Sequence, residues 1–186
     1  MFKIEHINVK GCAREAECFV KSKIKFTCIG KGSYGRVYAT QKSTVVYKVG
    51  NYLDNDGYLA YIEILEKQKK HNVYTPVIHS VHVYHTTTNR DSYTATDYFV
   101  VVMERLKPIR DKDYDAWRWL RAWSQADSKI PKYTSLGIEI IIPKDLIKIM
   151  KSLQKALNTI DGICLDVHDE NVMMRGEQMV IIDPLA

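Results

Sequence analysis

The residues of this chain best suited to chemistry lie near its end. They are Asp166, His168 and Asn171 in the run GICLDVHDEN, and Asp183 twelve positions after Asn171. A carboxylate such as Asp166 can orient a hydroxyl group and accept its proton. The side-chain oxygens of Asn171 and Asp183 are hard donors of the kind magnesium prefers, and magnesium shares its sites with phosphate oxygens. Together the three suit phosphoryl transfer, which asks for alignment and charge neutralisation more than covalent chemistry. His168 reads either as a group reaching the transferred phosphate or as an ordinary loop histidine.

Phosphate chemistry needs something to hold the phosphates, and the other end of the chain offers Gly30-Lys31-Gly32-Ser33-Tyr34-Gly35-Arg36-Val37. A glycine triplet of this spacing can open a helix that receives a dinucleotide pyrophosphate, or sit in a β-hairpin that folds over nucleotide phosphates. Here alternating residues (Lys23 to Ile29) precede it, and Val37-Tyr38-Ala39 and then Thr44 to Val49 follow. That context predicts a hairpin and a third strand, not a helix. A plain hairpin turn remains the alternative reading of the glycines.

The third strand carries Lys48, thirteen residues after Gly35. Helical spacing over residues 54–70 puts Leu59, Ile62 and Leu65 on one face, with Glu63 and Glu66 beside it. Two strands follow, about Val77–Tyr84 and Tyr98–Met103, around a polar loop. Helices are expected over 11–20, over 113–123 with its three tryptophans, and over 144–159 with Leu146, Ile147, Met150, Leu153 and Leu157 at helical intervals. Pro143 suits the start of that last helix. The tryptophans read as core packing ahead of a base-stacking platform. Met179 to Ile182 reads as a closing strand.

With 186 residues and 46% hydrophobic content, the chain is sized for one domain, or two small lobes sharing a cleft. The net charge of +5 is moderate and scattered, so nucleic acid is not an expected partner. Cys12, Cys18, Cys28 and Cys164 form no C-x-x-C pair, which suits free thiols in a reducing compartment. The start, MFKIEHINVK, carries no apolar run of signal-peptide length, and no stretch approaches a membrane span, so a soluble cytoplasmic protein is expected.

Taken in order, Gly30, Gly32, Gly35 and Val37, then Lys48, then the Asp166, Asn171 and Asp183 set resemble the protein-kinase superfamily over roughly Phe26 to Asp183. The D-x-H-x-x-N loop, and D-P where D-F-G is usual, look like its atypical branch, and the pattern resembles most nearly the early serine/threonine kinases of T-seven-like bacteriophages. The resemblance implies a single kinase-like domain over 1–186, of two lobes and α+β class. Its N-lobe, about 1–106, would be an antiparallel five-stranded sheet with one helix, and its C-lobe, about 107–186, reduced and mainly helical.

The resemblance also implies roles. ATP phosphates would lie under Gly30, Lys31, Gly32, Ser33, Gly35 and Val37, with Lys48 on the α- and β-phosphates. Glu63, preferred to Glu66 for its interval to the following turn, would hold Lys48, while at least one of the two acids is a solvated helix charge. The backbone of Glu104 to Leu106 would bond adenine behind Met103. Asp166 would be the catalytic acid or base, His168 a group at the γ-phosphate, and Asn171 and Asp183 the Mg2+ ligands. Host proteins would be the substrates, in the host bacterial cytoplasm.

Two departures from the family pattern stand out. Cys164 replaces the histidine of H-R-D, and only three residues follow Asp183, so the reading expects no activation segment and substrate docking through residues 110–160, a partner or a second copy. Two rival readings follow: a pseudokinase that binds and inhibits a host protein, and a small-molecule phosphotransferase.

Overall fold

The computed structural model describes residues 2–9, 26–32, 35–52, 57–86, 97–110, 122–123, 139 and 142–186. The expected helix over 11–20, Ser33, and all of the 113–123 helix except Ala122 and Trp123 lie outside them. The class is mixed α+β, and the chain divides into two compact units, Met1–Asp54 with Val77–Arg105, and Asn55–Pro76 with Leu106–Ala186.

The first unit is a six-stranded sheet. Its strands are β1 (Ile4–Val9), β2 (Thr27–Lys31), β3 (Gly35–Ala39), β4 (Val45–Tyr52), β5 (Ile78–Thr86) and β6 (Asp97–Glu104), in the order β1-β5-β6-β4-β3-β2. β4 lies inside the sheet, paired with β6 along all eight of its residues, from Val45 opposite Glu104 to Tyr52 opposite Asp97. One face carries Val81, Val83, Phe99 and Val101, all at most 2% exposed, because paired residues share a face and β-branched side chains fit its pleat. The other holds Val49 and Val100 against Tyr38, Tyr47 and Tyr84.

Five antiparallel strands were expected, and the sixth, β1, corrects that expectation. It runs parallel to β5, from Ile4 opposite Val81 to Val9 opposite Thr86. Its sequence, IEHINV, lacks the strict alternation that marks a half-buried strand, so its pairing is decided across the sheet. Contacts on both faces fix it there. Glu5 lies 3.2 Å from His82 Nδ1, and His6 Nδ1 lies 2.9 Å from His85 Nε2, with the His6 and His85 rings stacked. His85 Nδ1 in turn donates to Asp97 at 2.7 Å, which leaves Nε2 of a neutral His85 as the acceptor for His6.

The second unit contains α1 (Gly57–Glu66), β7 (Lys107–Pro108), α2 (Lys144–Thr159), a 3₁₀ turn (Asp169–Asn171), β8 (Val172–Arg175) and β9 (Gln178–Ile181). The strands form a small sheet in the order β7-β8-β9. A mainly helical stretch over 107–186 was expected. Its described residues show one long helix, α2, beside this sheet, since Val172–Arg175, which sequence reading passed over, pairs back on Gln178–Ile181. α2 has the expected bounds, and its buried side chains are Leu146, Ile149, Met150, Leu153 and Ala156. Ile147 and Leu157, expected at the core, are half-buried, because the buried stripe is turned toward Ile149 and Ala156. Trp123 is fully buried, as a packing tryptophan should be.

Sequence reading grouped α1 with the strands, whereas the structure groups it with α2 and β7 to β9. The reason lies in its side chains and in the turn that follows. Tyr58, Leu59, Tyr61, Ile62 and Leu65 are all buried. After α1, Asn72 donates to the Asp145 carbonyl (2.7 Å), and Arg175 donates to the carbonyls of Val73 and Thr75 (3.0 Å each). Asn72 and Thr75 are the buried polar side chains among the described residues, and both are hydrogen-bonded. No described helix is long and apolar enough to cross a membrane.

Candidate functional site

In the second unit the structure brings together the four residues with which the sequence reading begins. Asn171 Nδ2 donates to the Asp166 carbonyl (2.8 Å) and to Asp166 Oδ2 (2.9 Å). With its amide nitrogen turned to Asp166, Oδ1 is left as the oxygen Asn171 could offer a cation. The carbonyl of Asn171 accepts the N–H groups of Ile182 (2.9 Å) and Asp183 (3.4 Å). One residue therefore fixes the Asp166 side chain with its amide and the start of the Asp183 segment with its backbone.

The loop is closed from the other side as well. Asp166 N–H donates to the Pro184 carbonyl (2.8 Å), and Cys164 and Ala186 exchange both of their backbone bonds, at 2.7 and 3.0 Å. Leu165 and Leu185 thus pair as an antiparallel bridge. Cys164, standing where kinases carry histidine, points an exposed side chain outward and contributes through its backbone.

His168 caps the 3₁₀ turn. Its Nδ1 accepts the Glu170 N–H at 3.2 Å. Nε2 lies 2.9 Å from Asn171 Nδ2 and 3.5 Å from Asp166 Oδ1. The histidine serves the loop's geometry through one nitrogen and faces the reactive carboxylate with the other.

Two oxygen donors on one short backbone frame fit magnesium, which retains waters and takes its remaining ligands from substrate phosphates. Asn171 Oδ1 and the Asp183 carboxylate are those donors. No cluster of three or more His, Cys, Asp or Glu side chains suited to holding a metal occurs among the described residues. The donor set here is thus an amide and a carboxylate.

In the first unit, Gly30 pairs with Val37 beside a bulge in β2, Lys31 with Arg36, and the Gly32 N–H donates to the Gly35 carbonyl at 2.9 Å. Val37 pairs with Lys48, and Lys48 with Val101, so the three share a face of the sheet, Lys48 half-buried on β4. The glycines differ in what demands them. A Cβ at Gly35 would lie 2.9 Å from the Val49 carbonyl oxygen, so the β3–β4 pairing itself excludes a side chain there. At Gly30 and Gly32 the nearest atoms are 3.6 and 3.8 Å away, ordinary contact, and neither has positive φ. Nothing within the described fold requires these two to be glycine. Ile29, at the bulge, is 48% exposed, unusual for a large aliphatic residue and not singled out by its sequence context.

Other expected site residues fare unevenly. Glu63 is exposed and its carboxylate bonds Lys67, just past the end of α1, at 3.2 Å, while Glu66 is half-buried. The Glu104 N–H donates to the Val77 carbonyl (3.0 Å), and its side chain accepts the Val77 N–H (2.8 Å). The Arg105 N–H donates to the Thr44 carbonyl (2.8 Å). Of the three N–H groups expected to meet adenine, those bonds leave the one on Leu106.

Sequence reasoning missed two contacts behind the Asp183 segment. Tyr61 on α1 is fully buried and donates to the Ile181 carbonyl at 2.6 Å. Burial pushes its hydroxyl well above the ordinary phenol range, and the charge of Asp183 pushes the same way. Gly57, the first residue of α1, meets the chain at Leu185, where an added Cβ would stand 2.7 Å from the carbonyl carbon. In sequence, Tyr61 is one more apolar helix residue beside Ile62, and nothing local marks its hydroxyl. No protein-family model matches this chain, and no curated protein sequence matches it.

Proposed function

We propose that this chain is an ATP- and magnesium-dependent serine/threonine protein kinase of the compact phage type, acting on host proteins in the bacterial cytoplasm. The observation that carries the reading is the Asn171 node: one residue hydrogen-bonds the proposed base, Asp166, and receives the backbone of the proposed metal ligand, Asp183. A loop built only as a turn has no need to fix an acid, an amide and a second acid together. The glycine hairpin adds support, since Gly30 and Gly32 have no internal reason to lack side chains. Close approach of phosphate to their backbone would supply one.

In this reading Asp166 orients the acceptor hydroxyl and takes its proton, a contribution of about 10²–10⁴ in rate. His168, which caps the loop through Nδ1, has Nε2 3.5 Å from Asp166 Oδ1 and would stand toward the transferred phosphate. Lys48 neutralises the α- and β-phosphates, and the hairpin covers them through Gly30, Lys31, Gly32, Ser33 and Gly35, with Val37 beneath. Of the two α1 acids, sequence interval gave the lysine-holding role to Glu63, but Glu63 bonds Lys67 while Glu66 is half-buried, which makes Glu66 the acid to test first. Adenine recognition falls to the backbone N–H of Leu106. Magnesium, held by Asn171 and Asp183, supplies neutralisation of the charge that develops on the phosphates.

The test is transfer of labelled γ-phosphate from ATP to the chain itself or to proteins of a host lysate. Transfer is expected from the wild type and lost in Lys48→Ala, Asp166→Ala and Asp183→Ala. Activity that persists in clean preparations of the two aspartate variants overturns the assignment.

A further inference from the structure

We infer that Tyr61 is a positioning residue for Asp183: its buried hydroxyl ties the end of β9 to α1 and so sets the direction in which the metal-binding segment leaves the sheet. The role given to Asp183 rests on the kinase reading above, while the tether stands on geometry alone.

β9 is an edge strand, and its last residue, Ile181, turns both polar groups away from β8. Its N–H donates to the Tyr74 carbonyl (2.9 Å), and its carbonyl accepts the Tyr61 hydroxyl (2.6 Å). The next two N–H groups, of Ile182 and Asp183, go to Asn171. Two residues further, Leu185 lies against Gly57 so closely that the backbone atoms there leave no room for a Cβ. The segment from Ile181 to Leu185 is therefore gripped on one side by the Asp166–Asn171 loop and on the other by α1.

The chemistry of Tyr61 fits a tether better than a filler. Phenylalanine would fill nearly the same volume in a fully buried site without a hydroxyl to satisfy, and a buried hydroxyl is costly unless it is bonded. Here the hydroxyl meets a strand-end carbonyl that no neighbouring strand takes. Removing it frees the peptide two residues before Asp183 and leaves that carbonyl buried without its donor. A carboxylate that would supply a protein oxygen to a cation is sensitive to such a shift, because magnesium demands near-ideal ligand geometry.

The test is Tyr61→Phe, which removes one oxygen atom. The magnesium concentration giving half-maximal γ-phosphate transfer is expected to rise about tenfold, in the range that loss of a group supporting a metal ligand produces. The KM for ATP at saturating magnesium should stay within about twofold on the same grounds, since the groups assigned to the nucleotide are untouched. A purely structural role would lower the melting temperature and leave the magnesium dependence at its wild-type value, and that result overturns the inference. Should the wild type transfer no phosphate, the kinase reading fails, and the tether is judged by melting temperatures of Tyr61→Phe, Asp183→Asn and the double variant. Shifts that fall short of additivity support it, and additive shifts overturn it.

Discussion

The two regions that carry the proposed chemistry are built in opposite ways. Among the described residues, the glycine hairpin of β2 and β3 is held by a strand ladder and the Gly32–Gly35 turn bond, with Thr27, Cys28, Ile29 and Lys31 exposed along its edge. The loop around Asp166 is closed by backbone bonds to residues 182–186, by two amide bonds from Asn171 and by a histidine cap. The comparison teaches where each kind of precision comes from. Groups that must meet a proton or a cation within a few tenths of an ångström are locked by bonds of known partner. Groups that, in the proposed chemistry, would admit a nucleotide and release it are left as backbone, with side chains withheld.

The hardest blow to that contrast is Asn171→Ala, which removes the clamp on Asp166 and the proposed cation ligand together. Phosphate transfer is expected to fall by about a hundredfold or more, with a lowered melting temperature in the same variant. A variant with full activity would show that the node is only a turn. The next test sets two glycines against each other. Gly35→Ala forces a Cβ against the Val49 carbonyl and should destabilise the fold by roughly 1–3 kcal/mol in urea unfolding. Gly32→Ala has room, so its stability should match wild type while ATP affinity falls severalfold in a binding titration. Equal stability losses at both positions would break the distinction between structural and ligand-facing glycines.

Smaller effects sharpen it. Glu66→Ala should cost activity by about tenfold and Glu63→Ala by less than twofold, since a solvated helix pair contributes little; the reverse order would restore the choice made from sequence interval. At alkaline pH, Tyr61 supplies a gentler readout. Its folded hydroxyl titrates well above the unfolded value near 10, so the neutral form is favoured by folding. Stability is thus complete below about pH 10 and declines as pH rises toward the folded value. Tyr61→Phe should flatten that decline in melting curves taken from pH 9 to 11, and an unchanged slope would show that other groups govern it.

The amino-acid sequence was most legible where pattern is local. The spacing of apolar residues after Pro143 gave α2 its ends, since a helix of sixteen residues repeats its stripe often enough to set period and limits. The hairpin between Gly30 and Ala39, and the strand bearing Lys48, followed from turn chemistry and β-branched runs. Asp166, Asn171 and Asp183 were visible as spacing, although spacing says nothing of what each side chain touches. β1 escaped notice because its alternation is poor and its pairing is parallel, with a partner more than seventy residues away. The short strand Val172–Arg175 escaped because four residues before a turn are too few for any period.

By itself the sequence determined which groups are available: hard oxygens, a base, a lysine on a strand, and glycines where a hairpin would turn. Tertiary structure alone decided their use. It turned Asn171 toward Asp166, made His168 the cap of the 3₁₀ turn, occupied Glu63 with Lys67, and placed a tyrosine hydroxyl behind the segment that carries Asp183. The physical reason is that residue type and local period are written in neighbours along the chain. A hydrogen bond depends instead on distance and angle between atoms whose separation in sequence, 120 residues for Tyr61 and Ile181, leaves no local trace.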